Sequence, residues 1–452
     1  MVRISIVGAG SVAWSMVLVK DLCLTKSLAG STVSFMDTDT KRLEVVHGLA
    51  KRYAKEVKAK LTFEKTIDRK KALKDADFVF NTVLAGGHGS YETQRKVAEK
   101  HRYYRGIDSV DHNMVSDYPT IGGYNQLKLC LDIALDMEDI CPDAWLIQTA
   151  NPLFEICCLL SRETKLKVIG LCHGHFGYKK VAKTLGLDLK RVKAESIGFN
   201  HCIWMTSFKY DDQNAYSLIE EWVRTKAHRF WKNWNPKYYD VDMSPAAVDM
   251  YMRFGLFPIG DTARSGGWKY HTDLKTKKKW YGPLGGFDSE IGWSRYQADL
   301  RRQLNRMCKI YYDASVSVTA EFPPMKSGEQ HVPIVDAIVN GKEGLFQVNV
   351  PNRGAVEGVP SDVVVELPVL VGSRGVQRLR VERLPKGLML HVIVPRMLRM
   401  EWALEAYKEG GRDLLAEWLL SDPRTKSSTQ AEETIKEILK LPFNEEMAEH
   451  YK

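Results

Sequence analysis

The stretch Ile4-Ser5-Ile6-Val7-Gly8-Ala9-Gly10-Ser11-Val12-Ala13 decides the fold of this chain. A short apolar run of strand length enters a Gly-x-Gly-x-x-Ala turn. A helical segment follows through about Ala29, then a second apolar run, Thr32–Met36, ends on Asp37. Strand, tight glycine turn, helix and a strand closed by an acid make one βαβ unit of the dinucleotide-binding kind. Gly8 permits the tight turn, Gly10 lets the backbone approach a pyrophosphate, and Ala13 lets the helix pack close to the strand. Ser11 and Val12 complete a loop whose phosphate sits on helix N-terminal amides. Asp37 is expected to accept hydrogen bonds from the adenosine ribose and, by charge repulsion, to favour NAD over NADP. Its plainer role would be capping the turn after the strand.

Working outward, strands read at Leu61–Lys65, Phe78–Val83, Ala144–Thr149 and Val168–Leu171 alternate with helical segments at Lys41–Val57 and Gln126–Ile140. That alternation predicts an α/β fold with a Rossmann-like, doubly wound parallel sheet over residues 1–195. The pattern then changes. A strand at Ile203–Lys209, a Trp- and Tyr-rich helical region at Leu218–Tyr239, a polar Gly-rich stretch at Asp261–Gly292 and strands at Gly344–Val350 and Val363–Val371 precede a charged helical tail. Residues 196–452 are therefore read as a second, mixed α+β domain that resembles the C-terminal domain of lactate and malate dehydrogenases. The lysines between Lys275 and Lys279 are read as a solvated turn.

Composition narrows the function. The chain has 452 residues, 44% hydrophobic and 27% charged, with a net charge of +9, values of an ordinary soluble protein with room for two domains. Basic and acidic residues are interspersed, which argues against nucleic acid as a partner. No segment approaches the roughly 20 apolar residues of a membrane span, and Met1-Val2-Arg3 leads straight into a strand without a signal-peptide pattern. A cytoplasmic location is expected. The eight cysteines lack the spacing of a disulfide framework and are expected as free thiols.

Four segments end predicted strands and carry polar or soft groups: Asn81-Thr-Val-Leu-Ala-Gly-Gly87, Thr149-Ala-Asn151-Pro152, Leu171-Cys172-His173-Gly174-His175 and Gly198-Phe-Asn200-His201-Cys202. Open α/β sheets bind ligands at strand C-termini. Asn81 is accordingly read as part of the second half-site for the dinucleotide. Cys172 and His201 could offer a thiolate and an imidazole to a divalent metal while leaving positions open for substrate oxygens. Two ligands far apart in sequence do not establish a metal, since buried cysteines and core histidines are common. His175 and Cys202 compete for the role, although strand alternation turns Cys202 away from His201's side.

With these residues in view, the sequence resembles the NAD- and metal-dependent family 4 glycoside hydrolases. The resemblance spans nearly the whole chain through Gly8-Ala-Gly-Ser11, Met36-Asp-Thr-Asp39, Ala150-Asn-Pro152, Cys172-His-Gly174, Gly198-Phe-Asn-His201, Gln347-Val-Asn-Val-Pro-Asn352 and Leu367-Pro368. The Cys-His-Gly segment is similar to that of the α-glucuronidase group. No arginine and acidic pattern matches that of the members that hold a sugar phosphate. The resemblance implies hydrolysis by a redox route, with oxidation at the sugar C3 by NAD, proton removal at C2, elimination of the C1 leaving group, addition of water and return of the hydride.

It also implies residue roles. Cys172 and His201 would hold manganese or another divalent ion, and reducing conditions would be needed to keep Cys172 reduced. Asp261, in Gly260-Asp-Thr-Ala-Arg264, would be the base, against an N-cap or salt-bridged loop carboxylate. His173 would be the acid for the leaving group or a contact for a substrate carboxylate. Asn151 would bind a sugar hydroxyl, against a local Asx-turn. Asp117 and Arg264 would touch substrate, Arg264 by pairing with a uronate. The expected substrate is an α-glucuronide, with α-galacturonides and neutral α-glucosides as alternatives, and the expected assembly is a homo-oligomer. A 2-hydroxy acid dehydrogenase is the rival of another class, and it would need no metal.

Overall fold

The computed structural model describes residues 1–104, 123–264 and 267–452. Six strands, β1 (Arg3–Val7), β2 (Thr32–Met36), β3 (Thr62–Thr66), β4 (Phe78–Asn81), β5 (Trp145–Gln148) and β6 (Lys167–Gly170), make up the sheet of the N-terminal part. They lie parallel in the order β3-β2-β1-β4-β5-β6. This is the doubly wound order, and its switch point between β1 and β4 opens a crevice at the strand C-termini. Parallel strands covered by helices on both faces need apolar side chains on both. Ile4, Ile6, Val33, Phe35, Val79, Phe80, Leu146 and Ile147 are accordingly buried. Asp39 starts the helix Thr40–Glu56 by accepting from the amides of Lys41 and Arg42, which satisfies donors that a helix N-terminus leaves open.

The sheet does not stop at β6. Strands β7 (Val192–Phe199), β8 (Cys202–Tyr210), β9 (Gln213–Asn214), β10 (Phe257–Pro258), β11 (Gly344–Pro351), β12 (Val364–Gly372) and β13 (Gly375–Arg378) extend it. The path continues β6-β11-β12-β7-β8-β10, with β9 on β8 and β13 on β12, giving thirteen strands among the described residues. These added pairings are antiparallel. One mixed α/β sheet thus runs from the parallel half into the second half. The boundary expected at 195/196 falls inside β7, because the change of pattern coincides with a change of strand direction within one sheet.

Two long helices carry no clear apolar period in the sequence. Gly87–Lys100 opens on Gly-His-Gly-Ser and buries Tyr91, Gln94, Arg95 and Ala98. Two of these four are polar, so the usual stripe of apolar residues is missing. Glu290–Tyr312 begins at the N-cap Ser289 inside the Gly-rich stretch. The lysine run is a correction to the sequence reading. Leu274–Tyr281 is a helix, and Lys277 is buried, its ammonium donating to the Asp288 carbonyl at 2.9 Å. Among the described residues no helix is long and apolar enough to cross a membrane.

Candidate functional site

The glycine turn after β1 lines a cleft of about 500 Å³ together with Asp37, Thr82–Leu84, Thr149–Asn151 and the helix Glu290–Tyr312. Gly8 adopts φ 87°, and a Cβ there would stand 2.8 Å from the Thr82 carbonyl carbon. Only glycine lets the turn lie so close to the end of β4. The Gly10 amide donates to Asp37 Oδ2 at 2.7 Å, and the Asp39 amide donates to Asp37 Oδ1 at 2.8 Å. Asp37 therefore caps its turn and also presents its carboxylate to the cleft. Gly8, Gly10, Ser11, Val12 and Asp37 all line it. The shape and the donors fit a dinucleotide, with backbone amides beside the pyrophosphate position and an acid at the ribose position.

Asn81 is not brought into the cleft. It is fully buried, donating to Gln148 Oε1 at 2.8 Å, and the wall at this point is made by Thr82, Val83 and Leu84. As the last residue of β4, its side chain turns into the sheet layer while the next three residues form the crevice. The opposite wall comes from Tyr296, Gln297, Leu300, Arg301 and Leu304. Sequence reasoning missed this wall, and no local signal marks it.

Two histidines around the cleft are held neutral. His331 is buried against Trp14 and Phe80, with Nε2 2.8 Å from Thr149 Oγ1. Burial, then the charge of His173, pulls its pKa down to about 3. Burial, then Arg42, pulls His88 down to about 4. Between these values and the ordinary histidine value, the unfolded chain binds protons that the native state refuses, so stability rises with pH through that window and is lost as pH falls. Denaturation midpoints are expected to fall steadily as pH is lowered from 7 to 5. Each imidazole contributes at most about 1.4 kcal/mol per pH unit. A His331→Asn variant should show a shallower slope in the same titration.

The second centre is built by loop packing. Gly260 adopts φ 60°, and a Cβ there would lie 2.4 Å from the Gly174 carbonyl oxygen. The missing side chain lets the loop after β10 press against the loop after β6. Asp242 holds the contact by accepting from the Gly260 amide at 2.7 Å, and Thr262 Oγ1 accepts from the Ile203 amide of β8 at 2.7 Å. Cys172, His201 and Asp261 are thereby gathered, with one ligand atom from each inside a 4.8 Å span. A thiolate, an imidazole and a carboxylate at this spacing suit a divalent ion with coordination positions left for substrate oxygens.

His201 Nε2 lies 3.1 Å from Asp261 Oδ2. Asp261 Oδ1 accepts from Arg264 Nε at 2.7 Å, and Arg264 Nη1 reaches both oxygens of Asp288 at 2.8 Å. Burial alone would raise the Asp261 carboxyl. The charges of Arg264, His201 and His173 outweigh it and hold the group well below the usual carboxylate range. Arg264 is itself buried, its guanidinium lying over the Phe287 ring and engaged with the carboxylates of Asp261 and Asp288. Asp261 proves to be both a salt-bridged loop carboxylate and a neighbour of the two proposed ligands.

The remaining positions sort as follows. His173 is exposed, with Nδ1 3.7 Å from Glu329 and its ring beside Trp14 at the end of the cleft. Asn151 lines the cleft, and its Oδ1 accepts from the Leu153 amide at 3.3 Å in an Asx-type turn, leaving its amide nitrogen for a ligand. Asp117 lies outside the described residues. Neither competitor is among the three gathered ligands. Cys202 is buried, and His175 Nδ1 faces the Cys172 carbonyl at 3.2 Å. All eight cysteines are free thiols, and only Cys172 and Cys308 are partly exposed.

Comparison with known proteins bears on this arrangement. Residues 3–187 match the model of the family 4 glycosyl hydrolases, and residues 196–425 match that of the family 4 glycosyl hydrolase C-terminal domain. The chain is 24% identical over 97% of its length to an alpha-galacturonidase of Thermoanaerobacterium saccharolyticum, covering 95% of that protein. It is 26% identical over 93% of its length to an alpha-glucosidase of Erwinia rhapontici, covering 93% of it. In structure it is similar to a 6-phospho-alpha-glucosidase from gut microorganisms solved in complex with NAD and Mn²⁺, with TM-score 0.76, 19% identity and 97% of each chain covered. The expected likeness to the dehydrogenase fold extends to lactate dehydrogenase from Eimeria maxima, with TM-score 0.52, 14% identity, and 90% of this chain and 95% of that chain covered. Since the two family models together cover most of the chain and meet near the point where the sheet changes direction, the protein belongs to family 4 of the glycosyl hydrolases.

Proposed function

We propose that this glycosyl hydrolase cleaves α-linked uronosides, α-glucuronides before α-galacturonides, with NAD bound along the cleft and manganese held by Cys172 and His201. The observation that carries the reading is the gathering of a thiol, an imidazole and a carboxylate, next to His173, whose ring lies beside Trp14 in the wall of a dinucleotide-shaped cleft. A 2-hydroxy acid dehydrogenase has no use for the thiol. When bound, the dinucleotide supplies a reversible hydride acceptor and the metal a Lewis acid for the C2 and C3 oxygens.

The chain's own residues do the rest. Asn151 orients a sugar hydroxyl at the mouth of the cleft. Asp261, kept ionised and aimed by Arg264, takes the C2 proton. So weak a base suffices because that proton is acidified by the adjacent ketone during turnover. His173, exposed and adjacent to Glu329, protonates the departing glycosidic oxygen or meets the substrate carboxylate. With Arg264 occupied by Asp261 and Asp288, the uronate contact falls to His173. The Cys-His-Gly segment and the alpha-galacturonidase relative both support an acidic sugar.

Eight free thiols favour work in a reducing compartment, the cytoplasm. Exposed Leu390, Leu398 and Trp402, spaced by multiples of four along residues 389–409, favour a homo-oligomer. The test is a panel of aryl glycosides supplied with NAD, Mn²⁺ and a thiol reductant. Release of aglycone from α-glucuronides or α-galacturonides, with no steady rise of NADH, is expected. Cleavage of neutral α-glucosides in preference to both would contradict the uronoside assignment.

A further inference from the structure

Cys172 follows β6 and His201 sits in the turn between β7 and β8, yet two strands, β11 and β12, separate β6 from β7 in the sheet. Neighbouring strands lie roughly 4.8 Å apart, so the two strand ends stand far apart while the ligand atoms come within 4.8 Å of each other. Something must hold the loops over that gap. The residues at the relevant register positions of the intervening strands are Asn349 on β11 and Glu366 on β12, which pair with each other. Asn349 also pairs with Gly170 of β6, and Glu366 with Gly198 of β7.

Both side chains are buried, each about 1% exposed. Glu366 Oε2 accepts from Asn200 Nδ2 at 3.2 Å and from Asn349 Nδ2 at 3.1 Å. Asn349 Nδ2 also faces the Gly170 carbonyl at 3.4 Å, two residues before Cys172. Asn200 is the residue before His201, whose φ of 58° is left-handed, a conformation that a non-glycine residue keeps only when its surroundings enforce it. A buried carboxyl group is costly unless its hydrogen bonds are made. Here Glu366 Oε2 joins the two ligand-bearing loops through Asn200 and Asn349.

We propose that Glu366 and Asn349 form a buried clip that sets the separation and aim of Cys172 and His201, and that Glu366 is a positioning residue for the metal centre. This rests on the reading that Cys172 and His201 hold the metal, and the test separates the two claims. Residues that orient metal ligands from behind typically change affinity by about 10–100-fold when removed. Leucine at Glu366 removes the acceptor, while glutamine keeps a carbonyl oxygen for both amides.

The experiment is titration of the full-length protein with Mn²⁺ by electron paramagnetic resonance, beside NAD titration by quenching of protein fluorescence. Glu366→Leu is expected to weaken Mn²⁺ binding by about 10–100-fold with NAD affinity unchanged, and Glu366→Gln to restore near wild-type Mn²⁺ affinity. If Glu366→Leu does not fold, Asn349→Leu carries the same expectation. Wild-type Mn²⁺ affinity in the leucine variants, or a parallel loss of Mn²⁺ and NAD binding in folded protein, overturns the clip. Wild-type protein that binds no Mn²⁺, or binds it equally well after Cys172→Ser, overturns the metal reading and the clip with it.

Discussion

Replacing Cys172 with alanine is expected to abolish measurable Mn²⁺ binding and to lower kcat/KM by on the order of 10²–10³-fold or more. A Lewis acid on developing negative charge stabilises a transition state by several kcal/mol, and each 1.36 kcal/mol is tenfold in rate. Cys172 is partly exposed and stands with His201 and Asp261 inside a 4.8 Å span. The buried thiols of Cys130 and Cys158 are pushed up to about 12 by burial, so they cannot replace it as thiolates at neutral pH. Chelation by EDTA should reproduce the loss in wild-type protein, and added Mn²⁺ should reverse it there but not in the variant. Affinity for NAD should stay near wild type, because Cys172 does not line the dinucleotide cleft. Retained turnover in the variant after chelation would point to the dehydrogenase class.

Asp261→Asn is expected to be nearly as damaging for a different reason. General-base catalysis is worth about 10²–10⁴-fold, and an amide of the same size removes the base while keeping the shape. Arg264 Nε can still donate to the amide oxygen in place of Oδ1, so the loop should stay in place. The same carboxylate also lies 3.1 Å from His201 Nε2, and two measurements tell its possible roles apart. As base, Asp261→Asn loses kcat while Mn²⁺ affinity changes by no more than a few fold. As an essential ligand, it loses Mn²⁺ affinity first, and excess metal recovers the rate.

Much of the first half was legible in the sequence because its signals are local. Ile4–Asp37 contains strand, glycine turn, helix and acid in one continuous segment, and the structure places all four in the expected relation. Cys172 and His201 could be named because both lie within two residues after a strand end, where crevices open. Asn81 shows the limit of that reasoning, since the residue that ends β4 turns inward and the next three form the wall. Arg264 shows another limit: its commitment to Asp288, 24 residues further on, leaves no mark in the local sequence.

Other features depend on contacts over long separations. The far wall of the cleft comes from residues 296–304, and Lys277 is buried by a carbonyl acceptor at Asp288, although a lysine run ordinarily reads as surface. The clip between Asn349 and Glu366 reaches loops 166 and 179 residues earlier in the chain. Its hydrogen bonds follow from the register of β11 and β12, and register is a property of the folded sheet.

The central claim is that hydrolysis proceeds through proton removal at the sugar C2 beside this cleft, with the dinucleotide restored in every cycle. The most direct measurement is turnover of an aryl α-glucuronide in D₂O, followed by mass spectrometry and proton NMR of the released sugar. The account predicts deuterium at C2 of the product, stoichiometric with bonds cleaved, and none in sugar treated with Asp261→Asn. Product released at the full rate with protium retained at C2 would contradict it.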